Sequence, residues 1–237
     1  MAGRWVKILV GTVVVLGVLF VVVDRVAVHY ADKEVADLAK DKYGYANTTD
    51  AELDVSIEGF PFLTQALAKN FHDVELDASN FYVDAADNAQ GGYLHIADLH
   101  LDLSGVTMPS YTARTAQANL ATGTVTLSYS ELSSTLTRLV GHGSTITVSQ
   151  ASGSKEQAAN VRISGSVDGT QVNGVGTLLA QGDEFSLTAP GQTKPSASWR
   201  LGLPQNVGFS AAESTTDGVK LTVTGHQVTL GSSRFGG

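Results

Sequence analysis

The chain has 237 residues, 43% apolar and 16% charged, the composition of a folded rather than a disordered protein. It contains no cysteine, so disulfides, thiolate metal sites, cysteine nucleophiles and lipidated-cysteine anchors are excluded. Net charge is −8, and residues 1–25 hold three basic residues against one acidic, so the remainder carries −10; that balance argues against nucleic acid as a partner and against holding a polyanionic head group by charge alone.

Ile8 to Val23, ILVGTVVVLGVLFVVV, is sixteen residues without a charge, preceded by Arg4 and Lys7 and followed by Asp24 and Arg25. As a helix it spans roughly 24 Å against about 30 Å of bilayer hydrocarbon, a shortfall that snorkelling of Lys7 and Arg25 and an interfacial Trp5 can cover. A cleaved signal peptide is the rival; its apolar core usually has about 7–15 residues. No small-x-small cleavage site follows in VDRVAVHYADKE. Because the run is apolar on every side, a buried globular helix is set aside. Residues 1–25 are therefore expected to be an uncleaved, single-pass signal-anchor in the cell membrane, with a cytoplasmic start. Residues 26–237 then form one extracytoplasmic domain.

From Val26 to Lys42, Val28, Val35, Leu38 and Ala39 fall at roughly helical spacing among charged residues. This predicts an amphipathic continuation of the anchor helix, ending near Gly44. Next comes IEGFPFLTQAL, residues 57–67, a concentration of aromatics in a chain that has few. Gly59 suits an N-cap and Pro61 a first helical turn, where a missing N–H costs nothing. Phe60, Leu63, Leu67 and Phe71 follow at helical spacing, a stripe that Phe62 cannot share with Phe60.

Alternation then takes over. FHDVELDASNFYVD puts His72, Val74, Leu76 and Ala78 on one face. GYLHIADLHLDLSG puts Tyr93, His95, Ala97, Leu99, Leu101 and Leu103 on an apolar face, with Asp98, His100 and Asp102 opposite. YSELSSTLTRLVGHG predicts a helix with Ser130 as N-cap, Glu131 in its first turn and Gly141 just past its end. Its stripe is Leu132, Leu136, Leu139 and Val140. Asp168-Gly169 and Asp217-Gly218 mark hairpins, and frequent Gly, Ser and Thr within strands predict bending. The strand–helix–strand order of residues 46–120 returns in 121–237, which suggests one curved sheet wrapping helices from both halves. No Pro/Gly/Ser linker divides the chain, so one domain is expected.

The sequence carries no G-x-S-x-G elbow, H-E-x-x-H, Walker loop or G-x-G-x-x-G after a strand, and no enzyme activity is expected. Asp98, His100 and Asp102 share a face that could hold a divalent cation, yet alternation alone puts polar residues on a solvated face. No metal and no cofactor are expected. GHGS, residues 141–144, follows a helix rather than preceding one, the wrong end for a phosphate loop. The remaining signal is apolar. The helix stripes either fill a dry core or line a groove for a lipid, where each buried acyl CH₂ contributes about 0.8 kcal/mol.

GFPFL (Gly59 to Leu63), VELDASNFYV, LHLDLSGV and the late LGLPQNVGFSAAESTTDGVKLTVTGHQVTL, behind a membrane-proximal helix, resemble the LmeA-like phospholipid-binding family of actinobacterial cell-envelope proteins. The resemblance runs from about Val26 to Leu230, with GFPFL as its most specific element. It implies an α+β fold of TULIP-like type, a strongly curved antiparallel sheet wrapped around long amphipathic helices. It also implies phospholipid, or a similar amphiphile, as partner, and in mycobacterial members a link to lipoglycan elongation. With that frame, acyl chains are expected between the helices and the concave sheet face. The expected lining is Phe60, Phe62, Leu63, Leu67, Leu99, Leu101, Leu132, Leu136, Leu139 and Ile163. A non-catalytic scaffold of the envelope with a filled core is the alternative. An envelope-lipid hydrolase or transferase would need an acid/base cluster that the linear sequence does not display.

Overall fold

A computed structural model describes residues 2–43, 52–84, 93–110, 112, 115–141, 143–154, 157–167, 169–200 and 203–230, without the side chains of 2–11, 38–43, 81–84, 93, 139 and 199. The expected stop near Gly44, the flank of Arg4, Trp5 and Lys7, and Asp168 at its hairpin fall outside these residues or side chains, as do the side chains of Leu38, Ala39 and Leu139.

One helix, α1 (Ala2–Tyr43), runs unbroken from the apolar segment through the amphipathic one. The rest is strand-rich: β1 (Glu52–Glu58), α2 (Phe62–Ala68), β2 (Asn70–Asp84), β3 (Tyr93–Thr107), β4 (Ala116–Ser128), α3 (Tyr129–Val140), β5 (Thr145–Gln150), β6 (Ala158–Val167), β7 (Thr170–Gln181), β8 (Glu184–Thr188), β9 (Ala197–Arg200), β10 (Val207–Ser214) and β11 (Gly218–Leu230). All pairings are antiparallel. The class is α+β, as expected. The sheet, however, is two: six strands in the order β1-β2-β3-β4-β11-β10, and five in the order β5-β6-β7-β8-β9. Apart from α1, the helices are short, seven residues in α2 and twelve in α3.

The repeated strand–helix–strand order is present, but pairing separates its two copies. β2 returns to pair with β1 beside α2, whereas β5 leaves β4 after α3 to open the second sheet. β10 and β11 then come back to complete the first. A core joins the two sheets: Leu94, Ile96, Leu127, Val219 and Leu221 from the first, Val161, Leu178, Ala180 and Phe185 from the second, and Leu132 and Leu136 from α3. A second cluster lies under α1 and α2, built from Val28, Ile57, Phe62, Phe71, Leu103, Val106, Ala118 and Val228.

The six-stranded sheet creases. Its ladders lapse together at His72, Gly105, Asn119 and Gln227, neighbours on β2, β3, β4 and β11, with the same register on both sides. Gly105 and Gln227 have φ of +63° and +52°. A Cβ on Gly105 would meet Asn119 Nδ2 at 2.4 Å, so a side chain there would have to displace that amide, and the left-handed backbone favours glycine. Across the crease the apolar residues step by three, Val74 to Phe71, Leu103 to Val106 and Ala121 to Ala118, which inverts the alternation. A second lapse at Asn80 and Ala97, with φ +53° at Asn80, does the same. Single-phase alternation therefore fails at both ends. His72 is exposed where Phe71 is buried, and Leu94 and Ile96 are buried where the pattern favoured Tyr93 and His95.

One edge strand of each sheet has helix side chains across it. On α3, Ser133 Oγ accepts the Val148 N–H at 2.8 Å and Thr137 Oγ1 accepts that of Ile146 at 3.0 Å, so one helix face satisfies edge strand β5. On α1, Asp32 Oδ1 accepts the Ile57 N–H of edge strand β1 at 2.9 Å. The α3 cap is Ser128 rather than the expected Ser130: its hydroxyl accepts the Glu131 N–H at 3.2 Å. Gly141 ends the helix with φ +100°, as expected of a C-terminal glycine.

Candidate membrane and lipid site

From Thr12 to Val23 every side chain of α1 is exposed, including Leu16, Leu19 and Phe20. Among the described residues this is the one helix long and apolar enough to cross a membrane. At Asp24 the environment changes. Asp24, Val28 and Ala36 are buried and Asp32 is half-buried, an i, i+4 ridge along which α1 packs on β1 and α2. The expected stripe had Val28 but also Val35, which is 40% exposed.

Asp24 explains how a short helix starts after proline. Gly59 is not the cap: the N-cap is Pro61, in extended conformation and with no side chain to accept a hydrogen bond, so the helix begins at Phe62. Asp24 Oδ1 supplies the missing acceptor from 39 residues away, taking the Leu63 N–H at 2.8 Å. The carboxylate is fully buried, its Oδ2 has no hydrogen bond, and the guanidinium of Arg25 stands 3.8 Å from it. The positive end of α2 thus meets a buried negative charge. Gln65, also buried, secures the other side of the turn: its Nε2 donates to Glu58 O at 3.1 Å and its Oε1 accepts the His72 N–H at 2.8 Å. Lys69 ends the helix in left-handed conformation, φ +54°.

The two phenylalanines of GFPF separate here. Phe62 is buried and stacks on Phe71, centroids 6.2 Å apart; Phe71 belongs to β2, not to the α2 stripe. Phe60 precedes the helix and is 52% exposed. Its ring meets that of Phe20 edge-on at 6.4 Å, and the Arg25 guanidinium carbon lies 5.3 Å from its centroid.

The other expected lining residues are dispersed. Leu63 packs under α1 and α2 with the Phe62 cluster. Leu67 is 85% exposed. Leu99 and Leu101 are half-buried against the core between the sheets, where Leu132, Leu136 and Ile163 are buried. A cavity of about 580 Å³ lies elsewhere, lined by Gln150, Ala151, Ser152, Gly153, Ser154, Glu213 and Ser214, and holds none of the ten.

His100 is tied across strands. Its Nδ1 lies 2.6 Å from Asp77 Oδ1 on β2 and its Nε2 lies 3.4 Å from Asp102 Oδ2, with His100 and Asp77 exposed and Asp102 half-buried. The hydrogen bond to Asp77 holds the imidazole pKa above its usual 6.5. Asp77, missed in the sequence, is the register partner of His100, while Asp98 takes no part in these contacts. Among the described residues no group of three or more His, Asp or Glu is placed to hold a metal ion.

An apolar helix long enough to cross a bilayer, packed through its polar half onto an α+β domain of two antiparallel sheets, defines the class of this protein. The chain belongs to the LmeA-like phospholipid-binding family, whose model matches residues 22–232. No curated protein and no solved structure matches it.

Proposed function

We propose that this is a membrane-anchored, extracytoplasmic phospholipid-binding protein without catalytic activity, serving lipid transfer or lipid and lipoglycan maintenance in the cell envelope. Family membership across residues 22–232 carries the reading. Retention of the apolar helix as an anchor is supported by Asp24, whose loss with residues 1–25 would leave the Leu63 N–H without this acceptor. The fold is of TULIP-like type in this reading. Acyl chains enter the apolar interior bordered by Leu99, Leu101, Leu132, Leu136 and Ile163, with the head group toward the opening. Side chains fill that interior around Leu132, Leu136 and Ile163, so an entering chain displaces packed neighbours.

The same filled interior favours a second reading, a non-catalytic scaffold of the envelope. Native mass spectrometry of the full chain released from phosphatidylglycerol-containing nanodiscs separates the two. A phospholipid adduct of fixed one-to-one stoichiometry that survives collisional removal of annular lipid supports lipid binding. Release without any such adduct at every energy, together with no uptake of labelled phospholipid, would leave the scaffold.

A further inference from the structure

We infer that the Gly59–Phe62 turn is a membrane-inserted wedge: Phe60 enters the lipid at the boundary between hydrocarbon and head groups, beside the apolar helix, and fixes the attitude of the domain on the bilayer. This rests on the membrane-anchored reading above. Phe20 lies three residues before Val23, the last residue of the uncharged run, roughly 4.5 Å along the helix axis; Arg25 lies two residues beyond it, about 3 Å. The Phe60 ring touches both, at 6.4 Å from the Phe20 ring and 5.3 Å from the Arg25 guanidinium. Whatever depth the apolar run occupies, Phe60 occupies the depth of its outer end. About half of its surface is exposed, and its ring adjoins Phe20 on the exposed apolar stretch of α1. The occupant that fits is the bilayer that covers that face. Arg25, 52% exposed above the ring, reaches the phosphate level.

The turn cannot swing away from the helix freely. Asp24 accepts from Leu63 and Asp32 from Ile57, two bonds eight residues apart on α1, about 12 Å of helix. They clamp the end of β1 and the start of α2 to one helical ridge. The same end of the domain holds the exposed Leu67 and the β3–β4 turn, whose Met108 N–H donates to Lys69 O at 3.0 Å.

A chain without cysteine accepts a single unique label. The full chain carrying F60C, V14C or S134C is labelled with an environment-sensitive fluorophore and placed in phosphatidylcholine/phosphatidylglycerol liposomes. Doxyl lipids quench near the head groups or near the chain ends. Ser134 is exposed on α3, beyond the far end of β4, roughly 40 Å of strand from Ala116. The position-60 label should be quenched several-fold more by the shallow quencher than by the deep one, the position-14 label should respond most to the deep quencher, and the position-134 label to neither. Adding D24A to F60C should reduce the shallow quenching. Access of aqueous iodide to position 60, with position 14 still quenched by lipid, would overturn the wedge and leave the anchor standing. An unquenched position 14 would overturn both. A position-60 label shielded from iodide yet quenched by neither lipid would mean a protein surface covers the turn, and would overturn it also. F60W, read with brominated-chain lipids as the difference from wild type, repeats the test with an aromatic ring retained. None of these readouts depends on lipid bound inside the domain.

Discussion

Replacing Asp24 by alanine removes the side chain that caps α2 among the described residues. The Leu63 N–H, paired at 2.8 Å with a fully buried carboxylate, would then face an apolar contact. Hydrogen bonds to charged groups contribute roughly 1.5–3 kcal/mol, and loss of an N-cap costs about 0.5–2 kcal/mol, so a local loss of about 2 kcal/mol is expected. Opening of α2 should become about 30-fold more frequent, at about 1.4 kcal/mol per factor of ten. Hydrogen exchange by mass spectrometry on the full chain in nanodiscs reads this directly in the peptide spanning residues 62–68. D24N keeps an acceptor oxygen but not the charge, and should cost about 1 kcal/mol, a roughly fivefold acceleration. The comparison matters because Oδ2 has no hydrogen bond, so removing the carboxylate also relieves some desolvation. Exchange in D24A within about twofold of wild type would refute the capping role and the clamp built on it.

S133A and T137A each leave an edge-strand N–H of β5 without its α3 acceptor, and each should cost about 1.5 kcal/mol, roughly 3–6 °C in melting temperature. A melt unchanged by either would refute the edge seal. The Tyr129 hydroxyl lies 2.7 Å from both Ser214 Oγ and Thr215 O, tying α3 to β10; Y129F should lower the melt by more than S214A, which keeps the bond to Thr215. The His100 imidazole should titrate above 6.5 by NMR and fall back toward it in D77N. Since its folded pKa is raised, its contribution to stability is fully present below about pH 6.5, and is lost as pH rises through the folded value. Its exposure of 46% keeps that contribution small. A titration unmoved by D77N would refute the assigned cause.

Local patterns were legible where they depend on neighbours in sequence. Leu132 and Leu136 carried the α3 stripe and are buried, and Asp217-Gly218 marks the β10–β11 hairpin, although Gly218 opens β11 without a positive φ. The α3 cap was misread by two residues because Ser128 and Ser130 are both plausible caps, and only the strand end decides between them. Alternation misled at His72 and at His95, because a crease inverts its phase and its signals, Gly105, Gln227 and Asn80, are single residues with positive φ. Asp24 was hidden for a different reason. A carboxylate after an apolar run reads as a membrane flank, and its partner is 39 residues away. Its spacing from Val28 and Asp32, four and eight residues, was the available clue. Pro61 supplied the other: a helix beginning at proline without a capping side chain needs an acceptor from elsewhere.

The proposed site in the interior is tested most directly by photo-crosslinking the full chain with a phospholipid bearing a photoactivatable group on its acyl chain, followed by peptide mapping. The lipid-binding account predicts crosslinks on Leu99, Leu101, Leu132, Leu136 and Ile163 in addition to the apolar helix. Crosslinks confined to residues 8–23 and the Phe60 turn would contradict it and leave a membrane-anchored domain with a closed core.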